Sequence, residues 1–327
     1  MATSEWEIPP ELQPDPADHG FDLDLALRSL VGVKAMVPAD AFTASSLGTE
    51  RSGSGVVIRA DGLIATIGYL VTEAETIWLT THDGRAIPGH ALAYDFESGF
   101  GLVQALGRLN LPALKLDTGS GPRPGDTAVL ASSGGRRHAL RCTVAARQEF
   151  AGYWEYLLEE AIFTAPAHPS WGGAGLIGGT GGDARLLGIG SLVMQQQDGK
   201  GRRVDLNMVV PANLLPPILD DLLAFGRPNR PARPWLGLYA TEDEQGVVVS
   251  SLAPAGPAAK SGVEEGDRVV AVAGTRVGDL AGLWRAVWAC GTAGTRVRLS
   301  LSRDGAPREL AVASADRRTL LKAPRLH

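Results

Sequence analysis

From Gly55 to Pro211 the chain is written almost entirely in short apolar runs broken by turn residues, and this confines it to small antiparallel sheets. The first set is "GVVIRADGLIATIGYLV", "TIWLTTHDGRAIPGHALAYD" and "FGLVQAL". Within it, Ala60-Asp61-Gly62 and His82-Asp83-Gly84 are hairpin signals. The set ends at the linker "NLPALKLDTGSGPRPGD" and predicts one closed sheet. A second set follows: "TAVLASS", "ALRCTVAARQEF", "EYLLEEAIFTA", "AGLIG", "ARLLGIGSLVM" and "VDLNMVVP". The 41 Gly and 21 Pro supply the frequent turns that so many short strands need.

Helical spacing occurs in few places. "FDLDLALRSLVGVKAMV" reads as a short helix running into a strand, and "ANLLPPILDDLLAFG" as a helix stopped by Gly226. "RPNRPARP" is an extended tether. Beyond it the order is strand, strand, short helix, strand, helix, strand, strand. The expected organisation is a flexible tail over 1–20, a two-sheet domain over 21–226, a linker over 227–232, a small β-rich domain over 233–316 and a tail over 317–327.

Charge narrows the partners. A net charge of −5 gives no footprint for nucleic acid or an anionic membrane, and the Arg136-Arg137, Arg202-Arg203 and Arg317-Arg318 pairs read as solvated. No stretch approaches the length of a membrane span, and the acidic start has no signal-peptide pattern. The sequence as written therefore points to the cytoplasm, with a trimmed periplasmic protein as the other reading. Cys142 and Cys290 fall in different predicted domains, which argues against a disulfide. His19, His82, His90, His138 and His327 are isolated and show no metal-ligand spacing, so neither metal nor cofactor is expected. "GGTGGD", from Gly178, lacks the Lys-Ser/Thr of a phosphate loop.

Three segments carry a family resemblance. "LAPAGPAAKSGVEEGDRVVAVAGTRVGDL" is similar throughout to a PDZ domain, with Ala273 where Asn is usual. "GSGVVIRADGLIAT" and "NMVVPANLLPPIL" resemble the first hairpin and the closing strand and helix of a chymotrypsin-like protease. Together they make the chain resemble the HtrA (Deg) serine proteases over about residues 20–316. The implied fold is mostly β: a chymotrypsin-like double β-barrel followed by a C-terminal PDZ domain.

The resemblance assigns catalytic columns, and this chain departs from each. Tyr69 stands in the histidine column, three residues after Thr66. In "DFESGFGLV" Gly99 stands in the aspartate column. In "HPSWGGAGLIG" Gly172 stands in the serine column, within a segment like N-P-G-N-S-G-G-P-L-V. Glycine has no nucleophile, and a phenol with an ordinary pKa of about 10 is a poor base. The family's oxyanion hole would use the amides at Ser170 and Gly172. Ser170, beside His168, is the remaining candidate nucleophile. Trp171 and Tyr69 are aromatic newcomers to the cleft, as plugs or as peptide contacts.

The resemblance implies a pseudoprotease that binds peptides or protein C-termini through its PDZ domain, as scaffold, adaptor or chaperone. The alternatives are an active endopeptidase with displaced residues and a regulatory subunit of an active homologue. Peptide capture would use the loop Trp235, Leu236, Gly237 and Leu238, with Leu283 and Val287 on the facing helix as groove wall or core. The family's habit of trimerising implies a homotrimer or an assembly with an active homologue.

Overall fold

The computed structural model describes residues 6–179, 182–197 and 201–322. The described residues divide into two units: those within 1–148 and 160–228, with Lys322, in one, and 149–159 with 229–321 in the other.

The first unit opens with α1 (Leu23–Leu27), capped by the Asp22 carboxylate on the Leu25 amide. Then come β1 (Leu30–Met36), α2 (Ala44–Leu47), β2 (Glu50–Val57), β3 (Leu63–Ile67), α3 (Gly68–Val71), β4 (Thr76–Thr80), β5 (Ala86–Tyr94) and β6 (Phe100–Ala105). Among the described residues these six strands close a barrel in the order β1-β2-β3-β6-β5-β4. The alternation in β4 turns Ile77 and Leu79 inward, whereas β3 is buried throughout. Leu30, Leu63, Ile64, Leu79, Phe100 and Leu102 are sealed from solvent, each contributing about 1.5–3 kcal/mol of burial.

The second sheet contains β7 (Lys115–Leu116), β8 (Thr127–Ala131), β9 (Ala139–Gly152), β10 (Tyr156–Ala165), β11 (Gly175–Gly178), β12 (Arg185–Gln197) and β13 (Arg203–Pro211). Its order is β11-β8-β9-β10-β13-β12-β7, and β11 also pairs with β12, which curls the sheet back on itself. Leu130, Cys142, Ile162, Leu176 and Val209 fill its core. After it comes α4 (Pro216–Phe225), ended by Gly226 in the left-handed region.

Residues 6–20, expected to be a flexible tail, instead carry two 3₁₀ turns. Their apolar side chains supply the anchor: Ile8 is buried and its amide donates to the Arg137 carbonyl, while Trp6 stacks on His138 at 4.4 Å.

The second unit runs β14 (Leu238–Asp243), β15 (Gly246–Leu252), α5 (Pro257–Lys260), β16 (Arg268–Val272), β17 (Thr275–Arg276), α6 (Leu280–Ala289), β18 (Arg296–Arg303) and β19 (Ala306–Ala313). The sheet order is β14-β15-β16-β18-β19, with β17 on β16. The two-residue β17 was not expected from the sequence, and Arg317–Leu320, expected in the C-terminal tail, form a 3₁₀ turn that belongs to this unit. On α6, Leu280, Leu283, Trp284 and Val287 repeat at helical spacing and bury one face against the sheet. The unit also takes residues 149–159, the tip of the β9–β10 hairpin, which the sequence assigned to the preceding domain. No helix among the described residues is long and apolar enough to cross a membrane.

Candidate functional site

The first candidate site lies in the barrel unit. Tyr69 sits on α3, the single helical turn that leaves β3. That turn is fastened from below by Arg51 of β2, buried to 4% exposure, whose Nη1 donates to the Tyr69 carbonyl at 2.8 Å and the Thr72 carbonyl at 2.9 Å. Glu73, also buried, accepts the amides of Phe42, Thr43 and Lys322 and the Thr43 hydroxyl. Burial alone would raise its carboxyl, but these donors outweigh it, and Glu73 sits below the usual carboxylate range.

The Tyr69 hydroxyl donates to the Ser191 carbonyl of β12 at 3.0 Å. Burial drives its pKa well above that of free tyrosine, and a hydrogen bond from the Trp171 side chain offsets only part of the rise. The phenol therefore stays protonated at neutral pH. It cannot take a proton from a neighbour.

Gly172 lies directly against it. A β-carbon at Gly172 would stand 2.8 Å from the Tyr69 hydroxyl oxygen, closer than real side chains approach. The Gly172 carbonyl accepts the Ser54 amide at 2.9 Å, tying the segment before β11 to β2. Gly99, in the turn between β5 and β6, has φ of 88° and accepts the Gly68 amide at 2.8 Å, next to Tyr69. That φ favours glycine, so an orienting aspartate at this position would carry backbone strain. Nearby Asp95 is buried, and its Oδ2 accepts the Ser98 amide and hydroxyl at 2.9 and 2.6 Å. Positions 69, 99 and 172, far apart in sequence, thus converge without a nucleophile, a base or an orienting acid among them.

Ser170 has its neighbour committed elsewhere. Its amide donates to His168 Nδ1 at 3.0 Å, so that nitrogen is the acceptor and Nε2 carries the proton toward the His138 carbonyl, also at 3.0 Å. His168 is fully buried, and burial pulls its pKa down to about 4. The Asn207 carboxamide on β13 accepts the His168 amide at 2.6 Å and fixes the segment further. The imidazole is thus a neutral structural ring, and the Ser170 amide points into it rather than toward an oxyanion.

The second candidate site is the loop entering β14. Trp235, Leu236 and Leu238 are buried, as are Leu283 and Val287 on α6, which belong to the core of the unit. The amides of Leu236, Gly237 and Leu238 converge on one carboxylate, that of Glu155. Leu236 reaches both oxygens at 3.1 Å, while Gly237 and Leu238 reach Oε1 at 2.7 and 3.0 Å. The sequence reading placed the loop but missed its occupant. The only signal was an acidic residue in the tight turn Tyr153-Trp154-Glu155 between two strands. Among the described residues no cluster of three or more metal-ligating side chains forms, and the Thr180-Gly181 part of "GGTGGD" lies outside them.

Comparison with known proteins matches the fold of both units. The trypsin-like peptidase domain profile matches residues 53–177, and the PDZ domain profile matches 234–313. The chain is 26% identical over 267 residues to the periplasmic serine endoprotease DegP of Escherichia coli K12, covering 77% of this chain and 54% of that protein. It is 26% identical over 277 residues to the periplasmic pH-dependent serine endoprotease DegQ of the same strain, covering 80% and 59%. The chain thus spans about half the length of the curated relatives it matches. A solved structure of the HtrA-type protease AlgW with tripeptide superposes with a TM-score of 0.53 at 20% identity, covering 95% of this chain and 99% of that one. The serine endoprotease from Yersinia pestis gives 0.52 at 20% identity, covering 89% and 95%. The chain thus carries a trypsin-like peptidase domain followed by a PDZ domain, is similar in sequence to the DegP and DegQ endoproteases, and shares its fold with HtrA-type proteases.

Proposed function

We propose that this chain belongs to the HtrA family, does not hydrolyse peptide bonds and acts instead by binding, as a scaffold, adaptor or chaperone that captures peptides or protein C-termini through its PDZ domain. The observation that carries the reading is the contact between Tyr69 and Gly172: the phenol occupies the space a serine side chain would need. A triad protease stripped of its triad loses about a millionfold in turnover, so nothing measurable as proteolysis is left. The relatives are named serine endoproteases, and in this reading the chain keeps their frame without their chemistry.

The binding half of the proposal rests on the Trp235 to Leu238 loop, whose three converging amides suit a carboxylate. Assembly into a homotrimer, or with a catalytically active homologue, belongs to the same proposal. DegP and DegQ are named as periplasmic serine endoproteases. Cys142 and Cys290 are free thiols in separate units, so the reading requires neither an oxidising nor a reducing compartment.

The test is digestion of fluorescently labelled unfolded casein by the wild-type chain beside Ser170→Ala. The proposal expects release no faster than buffer from both. Cleavage by wild type that Ser170→Ala abolishes overturns it in favour of a protease with displaced residues.

A further inference from the structure

The amides of Leu236, Gly237 and Leu238 already hold a carboxylate, and it comes from the chain itself. Glu155 is only 8% exposed, at the tip of a long hairpin whose sides are β9 and β10. Three further contacts seat that tip. The Ala240 amide of β14 donates to the Tyr153 carbonyl at 2.9 Å, as an edge strand does when it accepts an added one. The buried Trp284 indole of α6 donates to the Gly152 carbonyl at 2.8 Å. Arg285, one residue further along α6, pairs with Glu149. The tip therefore spans both the strand and the helix that border the loop.

The backbone at the tip supports a purpose. Tyr153-Trp154-Glu155 is a three-residue connection whose last position is left-handed, with φ of 60° at Glu155. Glycine or asparagine normally takes that position, and a strained non-glycine residue persists where its surroundings hold it. Here the surroundings are three amides and the charge of Arg317, which offset only part of the rise that burial imposes on the carboxyl.

We propose that the hairpin tip 149–159 is an internal ligand of the PDZ loop: the side-chain carboxylate of Glu155 takes the place of a peptide's terminal carboxylate, and an incoming C-terminus must displace it. The inference rests on the reading of this domain as a peptide-binding module. It adds that the module is held closed by its own chain, so external affinity is reduced by the fraction of molecules in which the tip is docked.

The experiment uses the full chain and Glu155→Gly. Glycine suits the left-handed turn and keeps the hairpin while removing the carboxylate; Glu155→Gln, which keeps the shape and one acceptor, is the second variant. Hydrogen exchange at the amides of 236–238 reads occupancy directly. Polarisation of a fluorescein-labelled pool of random octapeptides with free C-termini, beside the same pool amidated, reads peptide access. The expected result is protection of the three amides in wild type, lost in Glu155→Gly, with free-carboxylate affinity raised by about tenfold or more and Glu155→Gln in between. Equal exchange in wild type and Glu155→Gly overturns the internal ligand, whatever the pool does. Protection lost in Glu155→Gly with no gain in affinity for a pool that does bind overturns the competition. Protection lost in Glu155→Gly while the pool binds neither protein supports the docked tip and counts against the peptide-binding reading instead.

Discussion

Returning a serine to position 172 is the perturbation whose outcome the structure dictates most closely. The β-carbon of Gly172→Ser would meet the Tyr69 hydroxyl at 2.8 Å. That hydroxyl has little freedom to retreat, since it donates to the Ser191 carbonyl at 3.0 Å and is hydrogen-bonded by the Trp171 side chain. The Tyr69 backbone is fixed in turn by the buried Arg51. Overpacking a closed site of this kind costs about 1–3 kcal/mol. For a domain of this size that lowers the melting temperature by roughly 2–12 °C. Truncating the ring removes the clash, so the serine should cost less on a Tyr69→Ala background, with a coupling of about 1–2 kcal/mol between the positions. Calorimetry on the four proteins of the cycle reads both numbers. Casein digestion alongside should stay at the buffer rate for Gly172→Ser, because the new hydroxyl would face a protonated phenol and no base. A stability change within about 0.5 kcal/mol and no coupling would mean that positions 69 and 172 do not share one space.

Two further outcomes follow from the buried charges. Burial pushes Glu155 from an ordinary value of 4.5 up to about 7, against the three loop amides and Arg317, which lower it. Because the docked pKa is the raised one, docking is strongest below the free value and weakens as pH rises through about 7; the charged and titratable groups that act on the carboxylate are Arg317 and Tyr239. Affinity for the free-carboxylate peptide pool should therefore climb at least about tenfold from about pH 5 to about pH 8 in wild type and stay flat in Glu155→Gly. Arg51→Met should destabilise the barrel unit by about 3 kcal/mol in urea titration, since it strips donors from the Tyr69, Thr72 and Thr43 carbonyls.

Much of the architecture was legible because it is written locally. Short apolar runs mark the strands of both sheets, Asp-Gly turns mark two hairpins of the first, and the spacing of Leu283 and Val287 marks one side of α6. The same local grammar exposed the odd residues at 69, 99 and 172 once the flanking segments were matched. What it could not reveal was pairing across long separations. Nothing near Tyr69 in sequence says that the Ser191 carbonyl accepts its hydrogen bond, and nothing near His168 says that Ser170 and His138 use up both ring nitrogens. The N-terminal segment looked like a tail because Trp6 and Ile8 are few among prolines and acids, yet two apolar anchors suffice to seat it. The assignment of residues 149–159 to the second unit was invisible for the same reason. A hairpin continuous with one domain carries no local sign that its tip packs in another, and only an acid where glycine is usual at the turn hints at it.

The central claim is that no serine in this chain is activated for attack. The most direct measurement is intact mass after prolonged exposure to a fluorophosphonate, which phosphonylates an activated serine without needing a preferred substrate. Wild type and Ser170→Ala should both keep an unchanged mass. A single stoichiometric adduct on wild type, absent from Ser170→Ala or mapped to any other serine, would contradict that claim.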